Sequence, residues 1–198
     1  MISFRFEKKL WRSGYRYIAG LDEVGRGPLA GPIVAAAVIF DLRKIKKIKG
    51  INDSKKISSE ARERLFKEII QNCFAWQVAE VSEKIIDWSG INRANELVFE
   101  KVIKKFKKKP DFALIDGKIN FKNFKIPFQS IIKADQKIYS VAAASILAKV
   151  SRDNLMKRLN KKYPFYNFDK NKGYGTKDHY QALKKHGPCS CHRQSFRL

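Results

Sequence analysis

The chain of 198 residues contains few cysteines, few histidines and no long hydrophobic run. Its three cysteines are an odd number and do not make a framework of paired disulfides, which favours a reducing compartment. The longest apolar runs, 33–40 and 141–148, are far too short to cross a bilayer. The N-terminal residues lack the apolar segment and the small-residue cleavage site of a secretory signal. These absences predict a cytoplasmic protein that does not enter a membrane.

Acidic residues are also scarce, because 19 Asp and Glu stand against 42 Lys and Arg, for a formal net charge of +23. This charge indicates a polyanionic partner. Nucleic acid is favoured over a membrane surface, because no long amphipathic basic helix dominates. A ribosome-associated protein would carry a similar charge, so charge narrows the class of partner without defining an activity.

Solenoid repeats and Pro/Ser-rich linkers are absent as well, which indicates one compact unit. Strand-like and helix-like segments alternate along the chain, and the expected class is α/β or mixed α+β with a helical C-terminal part. Apolar runs predict strands at 17–21, 33–40, 74–81, 112–115 and 130–132. Apolar periodicity and capping residues predict helices at 58–71, 92–107, 138–159 and 176–185.

Acidic side chains stand where predicted strands end or helices begin: the pair Asp22 and Glu23, then Asp116, then Asp135. Each one alone is more often a turn former or a helix cap. Brought together, the four would repel one another unless they shared a cation. Hard oxygen ligands suit Mg²⁺ or Mn²⁺, and two such ions can hold a phosphodiester. The set therefore favours metal-dependent chemistry on a nucleic acid.

A second group, Cys189, Cys191 and His192, has ligand types that suit zinc. Only three candidate ligands cluster there, and the Cys-x-Cys spacing is shorter than usual for structural zinc sites. Ordinary free thiols are the expected state of these cysteines.

The stretch 22–32, Asp-Glu-Val-Gly-Arg-Gly-Pro-Leu-Ala-Gly-Pro, resembles the opening motif of ribonuclease HII. The similarity continues in the family's order to the C-terminus. The further segments are Asp-Ser-Lys-Lys (53–56), Ile-Asp-Gly (115–117), Lys-Ala-Asp (133–135), a long Ala/Ser-rich segment (142–153), Gly-Tyr-Gly-Thr (173–176) and His-Arg-Gln-Ser-Phe (192–196). Two departures are the short C-terminus and Cys189-Ser190-Cys191, which replaces Ser/Pro-type residues. Both concern the C-terminal substrate-contact surface.

The resemblance implies an RNase H-like fold, with a mixed central sheet flanked by helices. It implies a catalytic domain over 1–160 and a C-terminal helical extension over 161–198 packed on it. It also implies a two-metal endonuclease, with Mg²⁺ or Mn²⁺, that acts on RNA–DNA hybrids and on DNA containing ribonucleotides. The products would carry a 5′-phosphate and a 3′-hydroxyl. The four metal-binding carboxylates of the family match Asp22, Glu23, Asp116 and Asp135.

Other family motifs imply substrate contacts. The turn Gly25-Arg26-Gly27 matches the segment that reads the ribose, and glycine lets main-chain groups approach a 2′-hydroxyl. Tyr174 matches a tyrosine that stacks on the neighbouring deoxyribose. Phosphate contacts are expected from Ser54, Lys55, Ser145 and Lys149, and more weakly from Arg193 and Ser195.

Three further residues receive structural interpretations. Asp153 is expected to form an ion pair on its helix, Arg152 to be an ion-pair partner within the fold, and His179 to be a solvent-exposed helix residue. A monomer is expected, and no docking peptide for a sliding clamp is evident. The alternatives are a ribonuclease HIII-like enzyme, in which lysine is expected at Arg26, and a non-catalytic nucleic-acid-binding protein on the same scaffold.

Overall fold

The computed structural model describes residues 2–44, 47–51, 57–119, 121 and 124–197. Within this part of the chain, one sheet contains β1 (Ile18–Val24), β2 (Ile33–Ile39), β3 (Ala75–Val81), β4 (Phe112–Asp116) and β5 (Phe128–Ile131). The α-helices are α1 (Arg5–Arg12), α2 (Ser59–Asn72), α3 (Glu83–Lys104), α4 (Tyr139–Lys162), α5 (Phe168–Asn171) and α6 (Lys177–His186). No helix of the described residues is long and apolar enough to cross a membrane.

The sheet has the strand order β3-β2-β1-β4-β5. Strand β1 pairs antiparallel with β2 and parallel with β4, and β4 in turn pairs parallel with β5. Because β1 and β4 run in the same direction, their carboxyl ends lie at one edge of the sheet. The last paired residues, Leu21 and Ile115, stand opposite each other, so Asp22 and Asp116 follow side by side. The topology thus brings two sequence-distant acids to one place.

Both faces of the sheet are covered, which explains why β2 is buried along its whole length. Helix α3 packs on one face and helices α2 and α4 pack on the other. Helix α4 lies so close to β1 that a β-carbon added at Gly20 would stand 2.3 Å from the backbone of Ser140. Its alanine-rich segment, residues 142–148, is buried for the same reason. This contact fixes the first turns of α4 against the strand that carries Asp22.

The C-terminal elements form a separate small core around Leu29, Met156 and Phe168. Helices α5 and α6 follow α4, and the terminal loop returns to make an antiparallel bridge between Ala30 and His192. The sequence-based boundary at residue 160 falls inside the last turn of α4. The division into a catalytic domain and an extension stays a prediction.

The sequence predicted the mixed class and the main elements, and the structure differs in several places. Helices α1 and α5 were not predicted. Strand β1 continues to Val24, so the acidic pair lies on the strand rather than after it. Helix α3 begins at Glu83, nine residues before the expected start, and bends at Gly90, whose φ is 77°. Strand β5 begins two residues earlier than expected, at Phe128.

Candidate active site

Four acidic side chains converge at the edge of the sheet where β1 and β4 end. Asp22 and Glu23 come from β1, Asp116 is the last residue of β4, and Asp135 lies in a short 3-10 helix before α4. They line one cleft of about 460 Å³. Its other walls are the end of β1 and the turn after it, one face of α4 and the loop before α6, which contribute Val24, Gly25, Arg26, Gly27, Ser145, Lys149 and Tyr174.

Local hydrogen bonds hold these acids in place. Asp116 Oδ1 accepts from the main-chain N–H of Ala134 at 2.5 Å, which ties the end of β4 to the turn that carries Asp135. Lys133 precedes that turn in the left-handed conformation, with φ of 56°. Asp22 Oδ1 accepts from the main-chain N–H of Glu23 at 2.8 Å. Main-chain N–H groups therefore fix the carboxylates of Asp22 and Asp116.

The cleft disfavours the charged form of its own acids. Burial raises the pKa of Asp22 well above its usual range; the charge of Glu23 adds to this, and a hydrogen bond from Ser145 opposes it. Burial raises the pKa of Glu23 to about 7, although the guanidinium of Arg26 acts in the opposite direction. One buried oxygen of Glu23, Oε2, has no hydrogen-bond partner among the described residues. Concentrated carboxylates and a buried acceptor without a donor are the features of a cation site.

The turn after β1 is shaped by its glycines. Gly25 has φ of 98°, and a β-carbon there would lie 2.3 Å from Nε of Arg152. At Gly27 the nearest side-chain atom to such a carbon belongs to Tyr174, 4.0 Å away across the cleft. Arg26 lies between them and donates to Asn92 Oδ1 at 3.0 Å, and its guanidinium is 3.6 Å from Glu23. Asn92, at the bend of α3, was not identified from the sequence.

Arg193 was predicted to contact phosphate, and the structure places it elsewhere. Its side chain is fully buried beneath the turn. It donates to the main-chain oxygens of Gly25, Arg26 and Gly31 at 2.6, 2.9 and 2.8 Å. Burial lowers the pKa of Arg193 to about 10. A guanidinium committed to three carbonyl groups cannot reach a backbone phosphate, so the prediction is corrected: Arg193 positions the turn.

Two structural interpretations from the sequence are also corrected. Arg152 is buried and donates to the carbonyl oxygens of Ala30, Pro32 and Lys172, where an ion pair was expected. His179, expected in solvent, is fully buried. Its Nδ1 lies 2.9 Å from the carbonyl oxygen of Tyr174, so it supports the loop behind the cleft.

The hydroxyl of Ser195 donates to Asp87 Oδ1 at 2.6 Å, and the other predicted substrate residues fall into three groups. Tyr174 stands at the mouth of the cleft with 42% of its surface exposed. Lys149 and Ser145 lie on one face of α4, and Lys149 forms the expected ion pair with Asp153 at 2.8 Å. Ser54 and Lys55 lie outside the described residues.

Four carboxylates gathered at the edge of a mixed sheet, beside Arg26 and Lys149, fit the site expected of a phosphodiester-cleaving enzyme with an RNase H-like fold. The family model described as Ribonuclease HII matches residues 19–198. A Ribonuclease HII from Caldicellulosiruptor bescii is 50% identical over 193 residues, which are 98% of this chain and 92% of that protein. The chain therefore belongs to the ribonuclease HII family, a family of type 2 RNase H hydrolases that act on RNA–DNA hybrids.

Solved structures agree with this assignment. The ribonuclease H2 from Pyrococcus horikoshii OT3 superposes with a TM-score of 0.77 at 27% identity, covering 91% of this chain and 93% of its own. The RNase HII of Archaeoglobus fulgidus, solved in a complex with PCNA, superposes with a TM-score of 0.74 at 30% identity, covering 92% and 96%. The expected RNase H-like fold is confirmed.

Proposed function

We propose that this chain is an endonuclease that hydrolyses the RNA strand of RNA–DNA hybrids and incises on the 5′ side of ribonucleotides embedded in duplex DNA. One observation carries the proposal. The acidic cleft and the turn Gly25-Arg26-Gly27 are continuous, because Glu23 and Gly25 are separated by a single residue. A ribose read by the turn would place its neighbouring phosphate at the carboxylates.

The chemistry of the cleft fits two divalent cations, Mg²⁺ or Mn²⁺, held by Asp22, Glu23, Asp116 and Asp135. The raised pKa of Asp22 and the buried Oε2 of Glu23, which has no hydrogen-bond partner among the described residues, support this assignment. When bound, such ions lower the pKa of an attacking water and stabilise the departing 3′ oxygen. The products would be a 5′-phosphate and a 3′-hydroxyl.

The protein's own residues supply binding and selection. Gly25 and Gly27 leave main-chain groups open to a 2′-hydroxyl, the group that distinguishes RNA from DNA. Tyr174 supplies an exposed ring for stacking on the next sugar. Lys149 and Ser145 face the cleft from α4, where they would contact the phosphate backbone.

We propose that a monomer is active and that the chemistry needs no sliding clamp, because Asp22, Glu23, Asp116 and Asp135 of a single chain already meet in one cleft. A cytoplasmic location accords with three free cysteines. Arginine at position 26, where a ribonuclease HIII-like enzyme is expected to carry lysine, argues against that alternative. A non-catalytic binder would gain nothing from four acids that repel phosphates.

The test is a nicking assay on duplex DNA that contains one ribonucleotide, with a hybrid duplex as the second substrate. We expect Mg²⁺- or Mn²⁺-dependent cleavage by the wild type and its loss in Asp22→Asn. Asp41→Asn is the matched control, because Asp41 follows β2, which ends at the opposite edge of the sheet. An inactive wild type would refute the enzyme, and an active Asp22→Asn variant would refute the site.

A further inference from the structure

Three metal-ligating side chains converge in the tight turn 189–192, outside the acidic cleft. The main-chain N–H of His192 donates to the carbonyl oxygen of Cys189 at 3.0 Å, which closes the turn. Cys189 Sγ lies 3.3 Å from Cys191 Sγ and 3.2 Å from His192 Nδ1. All three ligand atoms lie within 4.8 Å of one another. The short Cys-x-Cys spacing counted against a metal site in the sequence, but the folded turn brings the three ligand atoms together.

A hydrogen-bond chain orients the imidazole of His192 toward the two sulfurs. The carbonyl oxygen of Tyr174 can only accept, so Nδ1 of His179 donates to it at 2.9 Å. The other nitrogen of the neutral His179 ring then accepts from His192 Nε2, 3.0 Å away. This leaves His192 Nδ1 with a lone pair directed at Cys189, where it accepts from the main-chain N–H at 2.9 Å. Imidazoles that bind metals are commonly held in this way, with the second ring nitrogen donating to a fixed acceptor.

We propose that Cys189, Cys191 and His192 bind one zinc ion. In a tetrahedral site with Zn–S bonds of about 2.3 Å, two sulfurs stand roughly 3.8 Å apart, so the present separation needs to widen by only about half an ångström. The cation would replace the N–H of Cys189 as the partner of the imidazole lone pair. Cys189 is only half-buried, which leaves a fourth position open to water.

The position of the turn gives such an ion a structural consequence. Cys191 accepts through its carbonyl oxygen from the main-chain N–H of Gly31 at 2.8 Å, and Arg193, the next residue but one, holds the carbonyl of Gly25. On the other side, the His192–His179 pair leads to the carbonyl oxygen of Tyr174. Zinc would therefore stabilise the contacts that hold the turn Gly25-Arg26-Gly27 and those that hold the loop of Tyr174.

Cobalt(II) is the probe, because thiolate coordination gives it a charge-transfer band in the near ultraviolet that carboxylates do not produce. Metal-free, reduced full-length protein would be titrated in excess Mg²⁺, which competes with Co²⁺ for carboxylate ligands. We expect one equivalent of Co²⁺ to develop the band and zinc to displace it. The band should be lost in Cys191→Ser and in Cys189→Ser, and His192→Gln should weaken Co²⁺ binding by at least about tenfold.

Cys73→Ser is the matched control, because Cys73 caps α2 far along the chain and should leave the band unchanged. Circular dichroism would establish that each variant is folded. Absence of the band from the reduced wild type would overturn the proposal, and so would its persistence in Cys191→Ser. Thiols that pair as a Cys189–Cys191 disulfide in air, and take up no Co²⁺ after reduction, would identify a redox pair instead. None of these readouts depends on cleavage activity.

Discussion

Arg193 Nη2 donates to the carbonyl oxygen of Gly25 at 2.6 Å, so the last segment of the chain holds the turn beside the acidic cleft. The same guanidinium also bonds to the carbonyls of Arg26 and Gly31. A turn that keeps glycine backbone close to a sugar needs hydrogen bonds from other residues to hold its shape, because glycine itself imposes little conformational preference. Arg193 is therefore a positioning residue, and it belongs to the site without touching it.

Replacing Arg193 with methionine should reduce stability by about 3 kcal/mol or more, because each buried carbonyl left without a donor costs roughly 1–3 kcal/mol. Urea denaturation measures the loss. Arg197→Met is the control, since Arg197 lies in the same segment and is exposed; it should change the free energy of unfolding by less than about 0.5 kcal/mol. A drop below 1 kcal/mol for Arg193→Met would show that water or a shifted backbone satisfies these carbonyls.

The affinity of the acidic cleft for Mg²⁺ or Mn²⁺ should rise with pH through about 7, the value to which burial raises the pKa of Glu23. A cation binds the carboxylate form, so below about pH 7 its binding displaces a proton from Glu23. Calorimetry at pH 6 in buffers of different ionisation enthalpy would count the protons released. Glu23→Gln should release fewer protons than the wild type, and equal release would contradict this assignment.

Glu7 makes stability depend on pH in an unusual direction. Its Oε1 accepts from the main-chain N–H and the hydroxyl of Ser140 at 2.9 and 2.8 Å, whereas its buried Oε2 has no partner among the described residues. Burial raises the pKa of Glu7 above 4.5. A raised pKa means that the folded state binds the proton more tightly, so this contribution to stability is full below pH 4.5 and is lost as pH rises through the folded value.

The variant Glu7→Gln keeps an acceptor for Ser140 and carries no charge. We therefore expect it to be at least as stable as the wild type at pH 7 and to lose the Glu7 contribution to the pH dependence. Urea midpoints at pH 4 and pH 7 test this, with the exposed Glu63→Gln as control. A variant less stable than the wild type at pH 7 would show that the charged form of Glu7 is favoured.

The sequence predicted the acidic residues and the glycine turn because both follow local patterns. The acids stand at the ends of apolar strands, and the glycines mark a tight turn. Their convergence depends on β1 and β4 running parallel, and no local pattern encodes that pairing. The buried roles of Arg193 and His179 were missed for a related reason. Polar residues are normally exposed, and these two are buried only because carbonyls from distant segments meet them. The predicted start of helix α3 was nine residues too late, because Gly90 interrupts its apolar period.

Tyr174 provides the sharpest test of substrate selection. In the proposed function its ring stacks on the deoxyribose next to a lone ribonucleotide, and we take the value for an aromatic ring stacked on a base, about 1–3 kcal/mol, as the scale of this contact. Tyr174→Ala should thus reduce cleavage at a single embedded ribonucleotide by roughly 5- to 150-fold.

Long hybrids should lose less, because a continuous RNA strand offers the ring no deoxyribose beside the scissile position. Tyr180→Ala is the control: Tyr180 is as exposed as Tyr174, at 46% against 42%, but is not among the residues that line the cleft. Paired assays of both variants on both substrates give a ratio of losses that is independent of overall stability. If Tyr174→Ala lost the same factor of activity on both substrates, its ring would support the loop rather than recognise the junction between RNA and DNA.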